Sequence, residues 1–217
     1  MTQAVIFDLD GVLIDSEPVW EEVRRDYVAR RHGRWQPDSQ DRLMGMSTPE
    51  WAAYLSGELG VDRPPEAVAA EVIELMEQRY RERLPLLPGA VEAVRRLAAR
   101  WPPGLASSSP PRLIDLALRL AGLDELFGVR VSTEEVGRGK PAPDVYLEAA
   151  ARLGQPPAAC VAVEDSSNGV RSAAAAGMRV IAVPRERYPL AADAKAAASA
   201  VLGGLDQLTV ALVEEEA

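Results

Sequence analysis

Short apolar segments alternate with amphipathic segments through most of the chain, and this alternation limits the folds that it can adopt. The predicted strands are residues 2–8, 104–108, 128–132, 159–165 and 178–183, with a last strand and helix between about 199 and 214. The segments between them carry apolar residues at helical spacing: 89–100, 111–122, 143–153 and 168–176. The pattern predicts a doubly wound, Rossmann-type α/β core, in which helices cover both faces of a parallel sheet.

A stretch of about 65 residues interrupts the alternation directly after the first strand. Its apolar residues follow helical spacing in three segments and it contains no strand candidate: 18–32, 48–59 and 65–83. We therefore expect an all-helical domain at residues 15–84, inserted into an α/β core domain made of residues 1–14 and 85–217.

The composition excludes several kinds of site. The net charge is −9 and Lys and Arg form no evident cluster, so we expect no nucleic-acid partner. Cys160 is the single cysteine and His32 the single histidine, which argues against a disulfide, a zinc site and a Ser-His-Asp triad. A metal in this protein would sit on oxygen ligands, which favours a hard cation such as Mg²⁺.

Two further sequence features concern location and charge type. No signal segment and no run of 18 apolar residues is found, so we expect a cytoplasmic protein without a membrane partner. Of the 24 basic residues, only Lys140 and Lys195 are lysines. A lysine retained among so many arginines suggests a role for a compact ammonium group.

Chemically reactive side chains follow several of the predicted strands. In open α/β sheets, ligands bind beyond the carboxyl ends of the strands. The residues at or after those ends are acids, hydroxyls and one amine: Asp8, Asp10, Ser107, Ser108, Lys140, Glu164 and Asp165. Taken singly, each has a structural alternative, because Asp after a strand often caps a turn or helix and "SSSPP" can begin a helix. Their common placement favours a single site.

Four motifs resemble those of haloacid dehalogenase-type phosphohydrolases. They are "DLDGVLIDS", "LASSS", "GKPAPD" and "VEDSSNG", and they occur in that order between residues 8 and 169. The insert after the first strand is similar to the helical cap of the subgroup that contains sugar-phosphate phosphatases and β-phosphoglucomutase. The resemblance implies an α/β core with a cap, and a phosphoric monoester hydrolase that uses Mg²⁺.

The resemblance also implies roles for the residues of the first motif. Asp8 would attack phosphorus and form an aspartyl-phosphate. Asp10 would protonate the leaving alcohol and then activate water. Gly11 would let the backbone turn sharply beside the phosphate.

The remaining motifs imply a metal site and a phosphate site. The metal would be held by the Asp8 carboxylate, the Asp10 backbone carbonyl and Asp165, with Glu164 acting through water. Ser107 and the backbone N–H of Ser108 would bind phosphoryl oxygens. Lys140 would offset the charge of Asp8 and of the phosphate.

Two alternatives to a phosphatase stay open. Asp10 disfavours dehalogenase or transport-ATPase chemistry, but a β-phosphoglucomutase-like mutase shares all core motifs. Such mutases carry an arginine where "LMGMSTP" has Thr48, and a histidine where this chain has Trp20, which favours the hydrolase. The second alternative, a catalytically silent binding module, is disfavoured because no motif residue is missing.

The cap would select the substrate. A small sugar or polyol phosphate is favoured, and phosphoglycolate or a phosphorylated natural-product intermediate stays open. The candidates for contacting it are Glu17, Trp20, Gly45, Met46, Ser47, Arg79 and Tyr80. Trp20 and Tyr80 have an equal alternative as core residues of the cap. Oligomeric state is not readable from the sequence, and a monomer is the default expectation.

Overall fold

The computed structural model describes residues 1–44 and 46–215, and the chain divides into two compact units. One unit is Ser16–Leu84; the other combines Met1–Asp15 with Pro85–Ala217. We describe the two units separately, as the helical unit and the core unit. Their roles as a cap and a catalytic core stay a prediction.

The helical unit contains four helices among its described residues. They are α1 (Glu17–Arg30), α2 (Ser39–Leu43), α3 (Thr48–Gly57) and α4 (Pro65–Glu82). Helices α3 and α4 each have proline in the first turn, where the missing N–H costs no hydrogen bond. The sequence did not predict α2, because its five residues are too few to show a helical period.

The core unit is built on a six-stranded parallel sheet with strand order β3-β2-β1-β4-β5-β6. Its strands are β1 (Ala4–Phe7), β2 (Pro103–Ser107), β3 (Val129–Ser132), β4 (Cys160–Glu164), β5 (Arg179–Ala182) and β6 (Ala200–Val201). Its helices are α5 (Ala90–Ala98), α6 (Pro111–Leu120), α7 (Asp144–Arg152), α8 (Ser167–Ala175), α9 (Ala192–Ala197) and α10 (Val210–Glu214). The predicted α/β fold class is confirmed.

Strand β1 lies in the middle of the sheet and is buried along its whole length. Such burial on both faces explains its uninterrupted apolar sequence, Ala-Val-Ile-Phe. Phe7 is in register with Leu105 of β2 and with Val163 of β4. The ends of these three strands therefore meet at one edge of the sheet, directly before Asp8.

Small residues let the helices approach the sheet closely. One fully or nearly buried cluster joins alanines of β1, β2, β4 and β5 to alanines of α7 and α8. At Gly104 in β2, a Cβ atom would lie 2.8 Å from the Leu153 side chain. A methyl group there would require the Leu153 side chain to shift. Among the described residues, no helix is long and apolar enough to cross a membrane.

Candidate active site

Asp8 extends β1 by one residue and is nearly buried. Its backbone N–H donates to the carbonyl of Val163 at 3.0 Å, which fixes the start of the loop on β4. Three residues later, Gly11 has φ of +82°, a conformation that disfavours L side chains. A Cβ atom at Gly11 would also lie 1.9 Å from Asp165 Oδ2. Glycine is therefore needed both for the turn and for the space that Asp165 occupies.

The Lys140 ammonium joins the ends of three strands. Its Nζ donates to Asp8 Oδ1 at 2.9 Å, to Glu164 Oε1 at 2.6 Å and to the Ala106 carbonyl at 3.0 Å. An ammonium has three protons to donate, and these three acceptors match them. The Lys140 side chain is only 7% exposed. The structure thus brings together the lysine and the acids that the sequence grouped by their places at the strand ends.

Glu164 is fully buried at the end of β4, and donors surround both of its oxygens. Oε1 accepts from Lys140 and, at 2.9 Å, from the Tyr146 hydroxyl. Oε2 accepts from the backbone N–H of Asp165 at 3.0 Å, and from the N–H and hydroxyl of Ser166, both at 3.2 Å. Five donors stabilise the ionised carboxylate. Glu164 is therefore the fixed counter-ion of Lys140.

Two of the structural alternatives do not apply at these strand ends. Helix α8 is capped by Ser166, whose side chain accepts from the Gly169 N–H at 3.0 Å, and not by Asp165. Helix α6 begins after Pro110 without a side-chain cap, so the serines of "SSSPP" do not cap it. The hydroxyls of Ser107 and Ser109 instead donate to Asp10 Oδ2, at 3.2 and 2.8 Å.

Ser109 is a site residue that the sequence analysis missed. Three consecutive serines follow β2, and only Ser107 and Ser108 match the resemblance. In the structure Ser108 is exposed, whereas Ser107 and Ser109 are buried. Alternation along an extended backbone, which places residues i and i+2 on one side, was the available signal. Tyr146 was also missed, because nothing in the sequence of α7 links that helix to Glu164.

The acidic residues of the site form a group suited to a divalent cation. Oxygen atoms of Asp8, Glu164 and Asp165 all lie within 4.8 Å of one another. Burial raises the pKa of Asp8 to about 8, against the opposing effect of Lys140, and burial also raises the pKa of Asp165. A cation among these carboxylates would favour their ionised forms. Hard oxygen donors without sulfur or imidazole fit Mg²⁺.

Trp20 and Tyr80 of the substrate-contact prediction lie in the interior of the helical unit. Trp20 is 6% exposed, and its ring centroid lies 6.0 Å from that of Trp51. The Arg24 guanidinium lies 4.5 Å from the Trp20 ring centroid. Tyr80 is 1% exposed. These placements fit the alternative in which both aromatic residues stabilise the helical unit by packing.

The other substrate-contact candidates lie nearer the surface of the helical unit. Glu17 accepts from Gln40 Nε2 at 3.0 Å, and Met46 is half-buried. Ser47 is exposed and forms a capping box with Glu50 at the start of α3.

Arg79 pairs with Glu22 at 2.5 Å and with Glu82 at 3.6 Å. Gly45 lies outside the described residues. A role in substrate contact stays a prediction for all seven residues.

Comparison with known proteins agrees with this geometry. Residues 2–177 match the family of haloacid dehalogenase-like hydrolases. The chain belongs to this family. It is 40% identical over 191 residues to hexitol phosphatase B of Escherichia coli strain K12, and the match covers 83% of each chain. It is 36% identical over 181 residues to a phosphorylated carbohydrates phosphatase of Thermotoga maritima, covering 82% of this chain and 83% of the relative.

A solved structure of this family extends the likeness to nearly the whole chain. The crystal structure of a β-phosphoglucomutase named as putative, from Thermotoga maritima, superposes with a TM-score of 0.79 at 31% identity. It covers 99% of this chain and 100% of the other. The predicted family and the prediction of a hydrolytic enzyme are thereby confirmed.

Proposed function

We propose that this protein is a Mg²⁺-dependent phosphatase that hydrolyses a small sugar or polyol phosphate through an aspartyl-phosphate on Asp8. The observation that carries the proposal is the joint placement of two aspartates and a buried ammonium at one end of the sheet. Lys140 Nζ lies 2.9 Å from Asp8 Oδ1. Asp10, two residues after Asp8, accepts hydrogen bonds from the hydroxyls of Ser107 and Ser109. The names of the curated relatives support the substrate class.

Asp8 supplies the nucleophilic oxygen. Lys140 lies against Oδ1, so Oδ2 is the oxygen that attacks phosphorus in this proposal. The ammonium offsets the negative charge that builds up on the transferred phosphoryl group, and its buried position strengthens that interaction. Glu164 keeps Lys140 in place, because the Glu164 carboxylate is itself held by four other donors.

Asp10 carries the proton in both half-reactions. It gives a proton to the leaving alcohol as the P–O bond breaks, and it then takes one from the water that attacks the aspartyl-phosphate. General acid–base help of this kind contributes a factor of about 10²–10⁴ in rate. Asp10 is half-exposed while Asp8 is buried, which suits a residue that must meet both an alcohol and water.

Asp8, Asp165 and the backbone carbonyl of Asp10 would hold the cation, with Glu164 acting through water. Bound there, Mg²⁺ would supply electrostatic neutralisation for an anionic substrate among anionic side chains. Ser107 and the backbone N–H of Ser108 would bind the phosphoryl oxygens. The helical unit at residues 15–84 would act as a cap that excludes water and selects the leaving group.

A phosphosugar mutase is the second candidate, because the superposed structure from Thermotoga maritima carries that name. Trp20 counts against it in this chain. It stands where the resemblance expects a histidine, and an indole cannot exchange a proton with a sugar hydroxyl. Trp20 is moreover buried against Trp51. Thr48, in place of an arginine, offers no charge for a second phosphate.

A phosphate-release screen over about 100 phosphorylated metabolites, with and without Mg²⁺, tests the proposal. We expect Mg²⁺-dependent release from p-nitrophenyl phosphate and from at least one sugar or polyol phosphate. Asp8→Asn should abolish release, whereas Asp193→Asn, an exposed acid paired with Arg171, should not change it. Undiminished activity in Asp8→Asn would contradict the mechanism. Isomerisation of β-glucose 1-phosphate that is faster than phosphate release would identify a mutase instead.

A further inference from the structure

One oxygen of Asp10 accepts two hydroxyl hydrogen bonds. Ser109 Oγ donates to Asp10 Oδ2 at 2.8 Å, and Ser107 Oγ donates to the same oxygen at 3.2 Å. Both serines are at least 95% buried. Two donors on Oδ2 concentrate the negative charge of the carboxylate there, which favours Oδ1 as the oxygen that carries a transferable proton.

The Ser109 hydroxyl is itself held firmly by its surroundings. The Ser109 backbone N–H donates to Ser107 Oγ at 3.0 Å, and its carbonyl accepts from Ser132 Oγ at 2.7 Å. Ser132 ends β3 in register with Ser107 at the end of β2. The backbone on both sides of the Ser109 side chain is therefore fixed to two neighbouring strands.

The single proton of each hydroxyl gives Ser107 and Ser109 different roles. Each hydroxyl has one proton and can donate one hydrogen bond at a time. Once Ser107 donates to a phosphoryl oxygen, as the proposed function requires, it no longer donates to Asp10. The stronger, shorter bond from Ser109 is then the one that remains on Oδ2.

We propose that Ser109 is a positioning residue that holds Asp10 by Oδ2 while Ser107 binds the phosphate, and so directs Oδ1 toward the leaving oxygen. This inference rests on the proposed function, in which Asp10 is the general acid. The P–O bond to the alcohol breaks as the Asp8–phosphorus bond forms, and the proton moves from Asp10 Oδ1 to the alcohol oxygen. Water then attacks phosphorus, its proton passes to Oδ1, and the Asp8–phosphorus bond breaks.

The test compares two leaving groups in wild type, Ser109→Ala and Ser109→Thr. The parameter kcat/KM reports the steps up to departure of the leaving group, before the aspartyl-phosphate is hydrolysed. A sugar alkoxide needs protonation to leave, whereas p-nitrophenolate does not. Thr2→Val is the matched control, because Thr2 precedes β1 at the opposite sheet edge and its hydroxyl also donates one hydrogen bond, at 2.8 Å to the Val213 carbonyl.

We expect Ser109→Ala to lower kcat/KM for a sugar phosphate by roughly 10- to 100-fold, the range for loss of a hydrogen bond to a charged group. For p-nitrophenyl phosphate the loss should stay below about threefold, and Ser109→Thr should recover most of the sugar-phosphate activity. Thr2→Val should leave the ratio of the two substrates unchanged. Equal losses on both substrates, or no loss, would overturn the role of Ser109.

Crystal structures of wild type and Ser109→Ala with inorganic phosphate bound, so that Ser107 donates to the anion and not to Asp10, give a readout that does not need turnover. We expect the Asp10 carboxylate to be ordered on Ser109 in wild type and to adopt a second rotamer in the variant. An Asp10 side chain that stays in place without the Ser109 hydroxyl would overturn the inference. A wild-type protein that releases no phosphate would instead contradict the proposed function, and this structural comparison would still decide the role of Ser109.

Discussion

Gly169 lies so close to Glu164 that a Cβ atom at residue 169 would stand 1.8 Å from Glu164 Oε1 and 2.1 Å from Oε2. Glu164 cannot move aside freely, because five donors hold its carboxylate and Lys140 depends on it. The glycine in the first turn of α8 therefore makes room for the counter-ion of the site.

Gly169→Ala is expected to displace Glu164 and to lower the free energy of unfolding by about 1–3 kcal/mol, the usual range for overpacking a buried position. Phosphatase activity should fall with it, because Lys140 loses a fixed partner. Gly128→Ala is the matched control, since a Cβ atom there would meet nothing within 4 Å. Urea titration and phosphate release measure both effects, and a fully stable, active Gly169→Ala would contradict the account.

Lys140→Arg is expected to lower kcat by about 10² or more, as for loss of one preorganised donor in other active sites. The planar guanidinium is larger than an ammonium, and its donors do not match three acceptors that surround a single point. Lys195→Arg, the same change at the exposed second lysine, should leave kcat unaltered. Near-normal turnover in Lys140→Arg would mean that charge alone is required at residue 140.

Addition of magnesium distinguishes the role of the Asp10 side chain from that of Asp165. We expect added Mg²⁺ to raise the melting temperature of wild type, because a ligand that binds only the folded state stabilises it. Asp10→Asn should keep this shift, since only its backbone carbonyl is assigned to the metal, and Asp165→Asn should lose it. Loss of the shift in Asp10→Asn would show that its carboxylate is a ligand.

In the native protein at pH 8, Cys160 should react only slowly with a thiol reagent. In urea, the reagent should label one thiol per chain. The residue is 1% exposed, and burial raises the pKa of its thiol to about 11. Because the folded pKa is above the unfolded value of about 8.5, this burial stabilises the fold fully below pH 8.5. The contribution is lost as the pH rises toward 11.

The pH dependence can be isolated with Cys160→Ala. The difference in unfolding free energy between wild type and this variant should be constant below pH 8 and decrease between pH 9 and 11. A difference that stays constant over that interval, or rapid labelling of the native thiol at pH 8, would show that Cys160 is accessible.

The sheet edge of this site was predictable from sequence because strand ends in a parallel sheet meet. Asp8 and Glu164 follow apolar runs whose type and length indicate buried strands, and the register of β1 with β4 brings them together. Position relative to strands was enough to place these groups without knowledge of any side-chain contact. Lys140 was also placed correctly at this end of the sheet, although no strand directly precedes Lys140 in the sequence.

Contacts between side chains were not predictable in the same way. Alternation along an extended backbone groups Ser109 with Ser107, but the sequence does not show that this pair faces Asp10, because that depends on the backbone direction after β2. The Tyr146 hydroxyl reaches Glu164 because α7 packs on the sheet at one particular angle. Glu164 was predicted to act toward the metal through water. The structure adds that Glu164 is the counter-ion of Lys140, a pairing that depends on both groups being buried together.

The central place of β1 in the sheet has a consequence for synthesis of the protein. Asp8 and Lys140 are 132 residues apart in sequence, and β2 and β4, the two neighbours of β1, are made long after it. At about 5–20 residues per second, the ribosome needs roughly 10 s to pass from Asp8 to Lys140. Until β2 emerges, the apolar Ala-Val-Ile-Phe segment has no strand to pair with, and its other side stays unpaired until β4 is made. Nascent chains of this enzyme should therefore depend on chaperones until β4 emerges.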